Sequence, residues 1–374
     1  MWVWIGLMAC SGPPNLELVR PAGTIAGSFR VDVSSDGTEV VWWADGAKPR
    51  PVVDGEFKVD TSGWPDGDHK VTVRATRWPG PAVEQQFTIT SDNTGPAVSI
   101  AERSLEVEQG HTLPVVFRIE EPAVSLRLAV LDRERTAFEQ APGVWRALVG
   151  VPIRQQPGRY PIEIETVDSL GNHAIYRPEF EVKAVEWETS GKLPLSKREA
   201  QVDPPAMLKM REERDAVYAT ILPRQWWTGL FGIPVYRGKH TSAFGTFREY
   251  PDGERSHHDA QDIARRRGVP IYAANDGMIG LAHAQEVHGN AVLIEHGQKV
   301  VSLYSHLRTL LATEGQMVKK GDKIGTMGST GRSTGPHLHW GIVVDEVPVD
   351  PMQWVNEDFG VDSFAEFTRL EPTR

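Results

Sequence analysis

Short segments that alternate apolar and polar residues fill residues 16–91, and glycine-containing turns separate them. Residues 28–33 and 70–75 both alternate with a period of two, and Asp-Gly pairs interrupt the pattern at 36–37, 45–46, 54–55 and 66–67. A period of two is the side-chain period of a β-strand, and Asp-Gly favours tight turns between antiparallel strands. Regular short strands of this kind predict a β-sandwich over residues 16–91.

A second β-sandwich is predicted over residues 96–183, after a boundary at residues 92–96. Residues 67–73 and 158–164 share a pattern, since in each case a turn leads into an alternating strand. Both units resemble bacterial immunoglobulin-like domains. The resemblance implies that they act as rigid spacers or, alternatively, as adhesion modules, because a fold alone does not assign a function.

A polar connector and one helix are predicted next, within residues 184–222. Asp203 followed by two prolines is typical of a helix start, because Asp caps free N–H groups and proline fits the first turn. Residues 206–220 are rich in helix-forming residues, and Pro223 ends the segment. The helix would pack against the second sandwich or the C-terminal region, and a gating role over a site there stays open.

Near the C-terminus, a His-x-His pair, His337 and His339, stands in an apolar stretch that favours a strand. Side chains two residues apart in a strand project from the same face. Two adjacent imidazoles can share a metal, or one can bind it while the other transfers a proton. The alternative is a structural pair of histidines without a metal.

Upstream, His258 and Asp262 have a His-x-x-x-Asp spacing. Zinc sites that do chemistry typically use three protein ligands and leave the fourth position to water. His258, Asp262 and His339 would supply two imidazoles and one carboxylate. His337 would then be free to take a proton from the bound water.

Three ordered motifs, at residues 258–262, 304–307 and 325–339, resemble those of the LytM/lysostaphin-type zinc metallopeptidases. These enzymes cut peptide bonds in peptidoglycan, and the resemblance covers roughly the last third of the chain or a little more. Carried over to this sequence, it implies Zn²⁺ as the cofactor. The residues that it assigns are the metal ligands His258, Asp262 and His339 and the catalytic histidines His306 and His337.

The resemblance also implies a fold and a reaction. It implies an antiparallel, β-rich peptidase domain over residues 223–360. One of His306 and His337 would act as the base on water, and the other would stabilise the oxyanion or protonate the leaving amine, with the assignment left open. The bond would be an amide in peptidoglycan stem or cross-link peptides, with a D-alanyl–diaminopimelate cross-link expected in a Gram-negative envelope. The alternative is a catalytically silent or gated protein that binds peptidoglycan and activates other hydrolases.

One position departs from the family's pattern. Ala260 stands where the family usually has glycine, and alanine adopts a positive φ less freely, so the loop is expected to differ slightly. His257 is interpreted as a residue at the rim of the site, since only His258 stands four residues before Asp262. The histidines without motif support are interpreted as turn or surface residues: His240, His283, His288 and His296.

The N-terminal residues 7–10, Leu-Met-Ala-Cys, resemble a bacterial lipobox in which Cys10 becomes the lipidated N-terminus. This predicts an outer-membrane lipoprotein that faces the periplasm of the cell envelope. No Lys or Arg precedes the apolar run, unlike an ordinary signal peptide, and the alternative is a hydrophobic N-terminus with an ordinary cysteine. Cys10 is the chain's single cysteine, so no internal disulfide can form.

The net charge of -10 argues against a nucleic acid or an anionic lipid surface as the main partner. Peptidoglycan peptides are the expected partner. The fold class predicted for this 374-residue chain is therefore mainly β, with one linker helix. Its predicted parts are a lipobox and tether (1–15), two immunoglobulin-like sandwiches (16–91 and 96–183), a linker with a helix (184–222), the peptidase domain (223–360) and a tail (361–374).

Overall fold

The computed structural model describes residues 12–192, 203–249, 253, 255–364 and 366–373. The predicted lipobox with Cys10 lies outside these residues. The fold is mainly β, as the alternation predicts. Residues up to Pro96, with two short segments at 121–126 and 166–174, form one unit, and the rest of the chain forms a second. Within the described ranges, every helix is too short or too polar to cross a lipid bilayer.

The first unit contains two sheets around one apolar core. A three-stranded sheet has the order β1-β3-β6, and a five-stranded sheet has the order β2-β8-β7-β4-β5. Alternate residues of β3 and β7, such as Val31 and Val73, are fully buried between the sheets. The strands are β1 (Leu16–Val19), β2 (Thr24–Ile25), β3 (Ser28–Ser35), β4 (Glu39–Ala44), β5 (Arg50–Pro51), β6 (Glu56–Asp60), β7 (Gly67–Thr76) and β8 (Val83–Ser91).

A second β-rich region follows and also has two sheets. One sheet has the order β10-β18-β16-β12-β13, with β17 beside β16, and the other has the order β14-β15-β11-β9. The elements are β9 (Val98–Ala101), a 3-10 helix (Glu102–Leu105), β10 (Glu106–Glu108), β11 (Thr112–Ile119), β12 (Ser125–Val130), β13 (Arg133–Arg135), β14 (Phe138–Ala141), β15 (Val144–Gly150), β16 (Gly158–Val167), β17 (His173–Tyr176) and β18 (Glu179–Lys183).

The linker contributes one strand, β19 (Thr189–Lys192), and one helix, α1 (Pro204–Tyr218). Asp203 occupies the position before the helix, as predicted, but its side chain makes no capping hydrogen bond. Val217 and Tyr218 at the end of α1 pack into an apolar cluster with residues of the C-terminal sheet. Of the two neighbours considered for this helix, the C-terminal region is therefore the one it contacts through its apolar end.

The C-terminal region is built on a ten-stranded sheet with little helix. Its central order is β20-β23-β30-β27-β26-β25-β28, and β21 and β22 form a small separate sheet with β19. The elements are β20 (Lys239–Ser242), β21 (Phe247–Glu249), β22 (Arg255–His257), β23 (Gln261–Ala264), β24 (Pro270–Tyr272), β25 (Gly277–Gln285), β26 (Gly289–Gly297), β27 (Val300–Leu310), β28 (Met317–Val318), β29 (Lys323–Met327), β30 (His337–Val344), β31 (Val347–Val349) and α2 (Pro351–Asn356).

The residues after α2 do not form a simple tail. A 3-10 helix (Val361–Ser363) is followed by β32 (Phe367–Arg369), which pairs antiparallel with β9. The backbone groups of β32 thereby complete an edge of the second β-rich region. The chain end thus returns to the β-rich region that precedes the linker.

Arg146 on β15 anchors the second β-rich region to the C-terminal region. Its side chain is fully buried, donates to the carbonyl of Phe359 and to the side-chain oxygens of Gln225 and Gln298, and lies 5.3 Å from the Trp227 ring. Burial lowers the pKa of Arg146 to about 10. A buried guanidinium with these partners ties the two regions into one packed unit.

Replacing Arg146 by alanine is expected to lower the free energy of unfolding by about 2–4 kcal/mol, because buried acceptors lose their donor and a cavity is left. Urea unfolding followed by tryptophan fluorescence measures this. Arg159→Ala, at an exposed position of β16, is the matched control and should change stability by less than about 0.5 kcal/mol. Equal stability of the two variants would show that Arg146 does not anchor the interface.

Candidate metal centre and active site

Neighbouring strands place Asp262, His337 and His339 on one face of the C-terminal sheet. β30 lies between β23 and β27, and His339 is the Cα partner of Asp262 on one side and of Ser305 on the other. Paired residues of antiparallel strands project from the same face. His337, two residues before His339, projects from that face as well.

The atoms of His258, Asp262 and His339 converge on one point. His258 Nε2 lies 3.0 Å from His339 Nδ1, and both nitrogens lie within 3.2 Å of Asp262 Oδ1. All three residues are buried. In the part of the chain that the structure describes, this is the group of histidines and carboxylates that could hold a metal ion.

The contacts on the far side of each imidazole ring indicate which nitrogen carries the hydrogen and which keeps a lone pair toward the centre. His258 Nδ1 lies 3.0 Å from the carbonyl oxygen of Ala243, and because a carbonyl only accepts, Nδ1 carries the hydrogen and Nε2 keeps its lone pair. His339 Nε2 is buried and makes no hydrogen bond among the described residues, but the carboxylate oxygen Asp259 Oδ1 lies 3.5 Å from it, which favours the hydrogen on Nε2 and a lone pair on Nδ1. Two nitrogen lone pairs and a carboxylate oxygen that face one another repel unless a cation lies between them.

The triangle also has the size that a tetrahedral metal requires. Bonds of about 2.0–2.2 Å at tetrahedral angles separate neighbouring ligand atoms by roughly 3.3 Å, close to the spacing of these three atoms. Burial alone would raise the pKa of Asp262, but the neighbouring His258 and His339 side chains hold that pKa well below the ordinary value. Asp262 is therefore an ionised carboxylate and can act as an anionic ligand.

Arg248 fixes the orientation of the Asp262 carboxylate. Its Nη2 atom donates to Asp262 Oδ2 at 2.6 Å and to Ser242 Oγ at 2.7 Å. Oδ2 is thereby occupied, so Oδ1 is the oxygen that remains directed at the two histidines. Groups that orient metal ligands in this way tune the affinity of the site.

The Arg248→Met variant is expected to bind Zn²⁺ about 10- to 100-fold more weakly, because the carboxylate loses the bond that orients it. Competition with a chromophoric chelator at fixed pH measures the affinity. Arg255→Met, at an exposed position of neighbouring β22, is the control and should bind zinc like the unmodified chain. Unchanged affinity in Arg248→Met would mean that the carboxylate needs no support from this arginine.

His306 and His337 stand beside the ligand triangle without joining it. Their ring centroids are 4.8 Å apart, and His337 Nε2 lies 3.7 Å from Asp262 Oδ1. His306 Nδ1 donates to the Thr330 carbonyl and His337 Nδ1 to the Gly335 carbonyl, each at 2.8 Å. In each neutral ring, Nε2 therefore keeps a lone pair that can accept a proton. Burial, followed by the adjacent rings of His339 and His337, lowers the pKa of His306 to about 3.

Backbone geometry places His306 at this point. It has a positive φ of 62° and lies at a register irregularity of β27, where its N–H donates to the His288 carbonyl. The turn at Gly289 presses against the loop at Gly331, and a Cβ on Gly289 would come within 2.3 Å of Thr330. Glycine is required at this close approach, which brings the Thr330 carbonyl within reach of His306.

His288 and His296 correct the interpretation of the histidines without motifs. Both are buried, so neither is a surface residue; His288 lies in a turn, as interpreted, whereas His296 lies in β26. His288 accepts from Arg214 Nη1 at 2.5 Å, donates to Ser305 Oγ at 2.9 Å and has its ring centroid 5.5 Å from that of His339. Burial, then the nearby charge of Arg214, holds the pKa of His288 well below its ordinary value. His296 lies in the core, bonded to Ser302 Oγ.

Ala260 and His257, which flank the metal ligand His258, differ in their burial and contacts. Ala260 is fully buried and does not adopt a positive φ, so its loop needs no glycine. His257 is partly buried against Trp187 and Phe247, and its Nδ1 atom donates to the Gly245 carbonyl. It lines a cavity beside the site without contributing to the ligand triangle.

Two cavities meet at the ligand triangle. Both are lined by Asp262, Arg248 and His337. One, of about 380 Å³, is bounded by α1 and the loop at residues 332–334. The other, of about 440 Å³, is bounded by β19, β20 and residues 334–337. A groove of this form can hold an extended peptide across the metal centre.

Comparison with known proteins places this site in a family. Residues 256–351 match peptidase family M23. The peptidoglycan DD-endopeptidase ShyB of Vibrio cholerae is 40% identical over 114 residues, which is 30% of this chain and 27% of that protein. The DD-carboxypeptidase/endopeptidase Mpg of Neisseria meningitidis is 43% identical over 95 residues, or 25% of this chain and 22% of that protein. The chain thus spans about a quarter of the length of these curated relatives.

A solved structure extends the likeness beyond the matched segment. A Pseudomonas aeruginosa protein described as a peptidase M23 has a TM-score of 0.50 and 25% identity, over 68% of this chain and 96% of that one. The resemblance drawn from the three motifs is confirmed. Residues 256–351 form a peptidase domain of family M23, the LytM/lysostaphin type.

Proposed function

We propose that this chain is a zinc metalloendopeptidase that hydrolyses amide bonds in the stem or cross-link peptides of peptidoglycan. The observation that carries the proposal is the convergence of His258 Nε2, Asp262 Oδ1 and His339 Nδ1 within 3.2 Å of one another. Two imidazoles and one carboxylate suit zinc and leave one position open in a catalytic site. ShyB, which is named a peptidoglycan DD-endopeptidase, supports the substrate class, and Mpg, which is named a DD-carboxypeptidase/endopeptidase, supports the reaction.

The residues around the ligand triangle have separate roles in the proposed reaction. Zinc, when bound, would supply an activated water and a Lewis acid for the carbonyl. His306 and His337 each donate Nδ1–H to a backbone carbonyl, which leaves Nε2 of each neutral ring with a lone pair, so one can take a proton and the other can stabilise the oxyanion or return the proton to the leaving amine. Arg248 keeps Asp262 Oδ2 away from the reacting atoms. The linker and the sheet edge hold the peptide in the groove.

The proposals for the N-terminal regions and for the membrane anchor rest on sequence patterns. We propose immunoglobulin-like spacers for the two N-terminal β-rich regions, supported by two sheets around one core in the first region. We also propose a cell-envelope location, which the substrate class supports, and attachment to the outer membrane through lipidated Cys10. Metabolic labelling with a radioactive fatty acid tests the attachment, since Cys10→Ser should abolish the label.

The proposed reaction is tested with purified cross-linked muropeptide dimers. The zinc-loaded chain should convert dimers to monomers, and mass spectrometry of the products names the bond. The chelated enzyme should be inactive and should recover on addition of zinc. Zinc binding without cleavage would overturn the proposal in favour of the silent or gated activator, and cleavage that survives complete removal of metal would contradict the site.

A further inference from the structure

Helix α1 lies outside the family-matched segment but forms a wall of the candidate active site. Met207, Met210, Arg211 and Arg214 all line the cavity of about 380 Å³ that reaches His306 and His339. The opposite wall carries Arg332. The helix thus delivers two of its arginines to the groove, although its sequence shows only an ordinary mixed-charge helix.

Arg214 is held in place, but its hydrogen-bond donors are not all used. Nη1 donates to His288 Nε2 at 2.5 Å, and the guanidinium lies 5.6 Å from the Tyr218 ring. Its Nε atom is buried and has no hydrogen-bond partner. Among the described residues, no direct salt bridge joins Arg214 to a carboxylate, although the nearby charge of Asp259 helps to raise its pKa. A buried cation with an unmet donor is costly unless an anion completes it.

The charge of the two cavities is unequal. The cavity beside α1 contains the arginines 211, 214, 248 and 332 against the carboxylates Asp259 and Asp262, and Asp262 already engages Arg248. The cavity on the other side of the centre is lined by hydroxyl side chains, with Arg248 and a single further acidic residue, Glu188. An anionic group of a substrate is therefore favoured on the α1 side.

The chemistry of an amide bond decides which anionic group this is. In the D-alanyl–diaminopimelate cross-link expected from the sequence, alanine has used its carboxyl group in the scissile amide. The diaminopimelate on the amine side keeps a free carboxylate on the carbon that bears the amide nitrogen. We infer that Arg214 binds this carboxylate and that the cavity beside α1 holds the amine-side residue of the cleaved bond. The inference rests on the proposed peptidase function and assigns the direction of the peptide in the groove.

Helix α1 on this account is part of the substrate site. Removing Arg214 should therefore slow hydrolysis. A helix that only blocks the groove predicts the reverse, because weakening its contacts would open the site. The sign of the effect separates substrate binding from gating.

The test uses the full zinc-loaded chain and two matched peptides. One is a cross-linked peptide with a free carboxylate on the amine-side residue, and the other has that carboxylate converted to a primary amide. Arg214→Gln keeps a donor for His288 but removes the charge, and Arg214→Lys keeps the charge. Lys209→Gln, on an exposed part of α1, is the control.

Arg214→Gln is expected to lower kcat/KM for the carboxylate peptide by about 10- to 100-fold, the effect of losing one charged hydrogen bond. The amide peptide should be cleaved at nearly the unmodified rate by the same variant, and Arg214→Lys should recover part of the loss. Equal losses on both peptides would show a structural role, and faster cleavage of both would show a gate; either overturns the inference. Failure of the unmodified chain to cleave either peptide would instead reject the peptidase function.

Discussion

Replacing His339 by alanine is expected to weaken zinc binding by more than about 100-fold and to abolish hydrolysis. Residues that only orient metal ligands already change affinity or activity by about 10- to 100-fold, and His339 supplies one of the three converging atoms itself. Without it, His258 Nε2 and Asp262 Oδ1 are left as two ligands, too few for a catalytic zinc site. Zinc content after dialysis and the rate of dimer cleavage measure both effects.

The control for His339→Ala is His240→Ala, an exposed histidine on β20 of the same sheet. It should keep full zinc content and full activity. Circular dichroism and the unfolding midpoint show whether either variant is misfolded. A His339→Ala protein that is folded and keeps both zinc and activity would remove this residue from the metal centre.

Replacing either His306 or His337 by alanine is expected to lower the rate of hydrolysis by about 10²- to 10⁴-fold, the usual contribution of a general acid or base. Zinc content should stay near that of the unmodified chain, because neither ring belongs to the ligand triangle. The two losses should be less than additive in the double variant, since groups that act on one proton path work as a unit.

The pattern across these variants assigns the roles. Loss of zinc together with activity in His337→Ala would make His337 a ligand. Full activity in either single variant would exclude that histidine from proton transfer. Burial and the adjacent His339 and His337 rings lower the pKa of His306 to about 3, so its ring is neutral across the neutral range of pH.

Local patterns predicted the part of the site that depends on local spacing. His337 and His339 share one strand face because of the two-residue period of a strand. The joining of His258 and Asp262 in one ligand set came from the resemblance to the family's His-x-x-x-Asp motif. The β-strands likewise follow from alternation and Asp-Gly turns. These features depend on residues that are close in the sequence, so they can be predicted from the sequence alone.

Contacts between distant segments were not predictable in the same way. Arg248, Arg214 and His288 reach the centre only because the linker and a turn fold over the sheet, at sequence separations of 14 and 74 residues for two of their bonds. The return of β32 to β9 is likewise a long-range pairing. The sequence His288-Gly289 is equally compatible with an exposed turn and with a turn whose imidazole is buried. Only the opposing loop, which is distant in the sequence, buries it.

The arrangement of α1 joins the fold to the proposed reaction. The apolar end of the helix, Val217 and Tyr218, packs on the sheet and keeps Arg214 in the groove. Specificity would then depend on a segment that lies outside the family-matched residues, while the metal chemistry depends on residues within them. Relatives with other linkers would share the centre and differ in the peptides that they accept.

The metal centre is tested most directly by an anomalous difference map, recorded at the zinc edge from crystals of the zinc-loaded chain. We expect one strong peak about 2.0–2.2 Å from His258 Nε2, Asp262 Oδ1 and His339 Nδ1, with His306 and His337 outside the coordination sphere. No peak in that triangle, or a peak held by His288, His306 or His337, would contradict it.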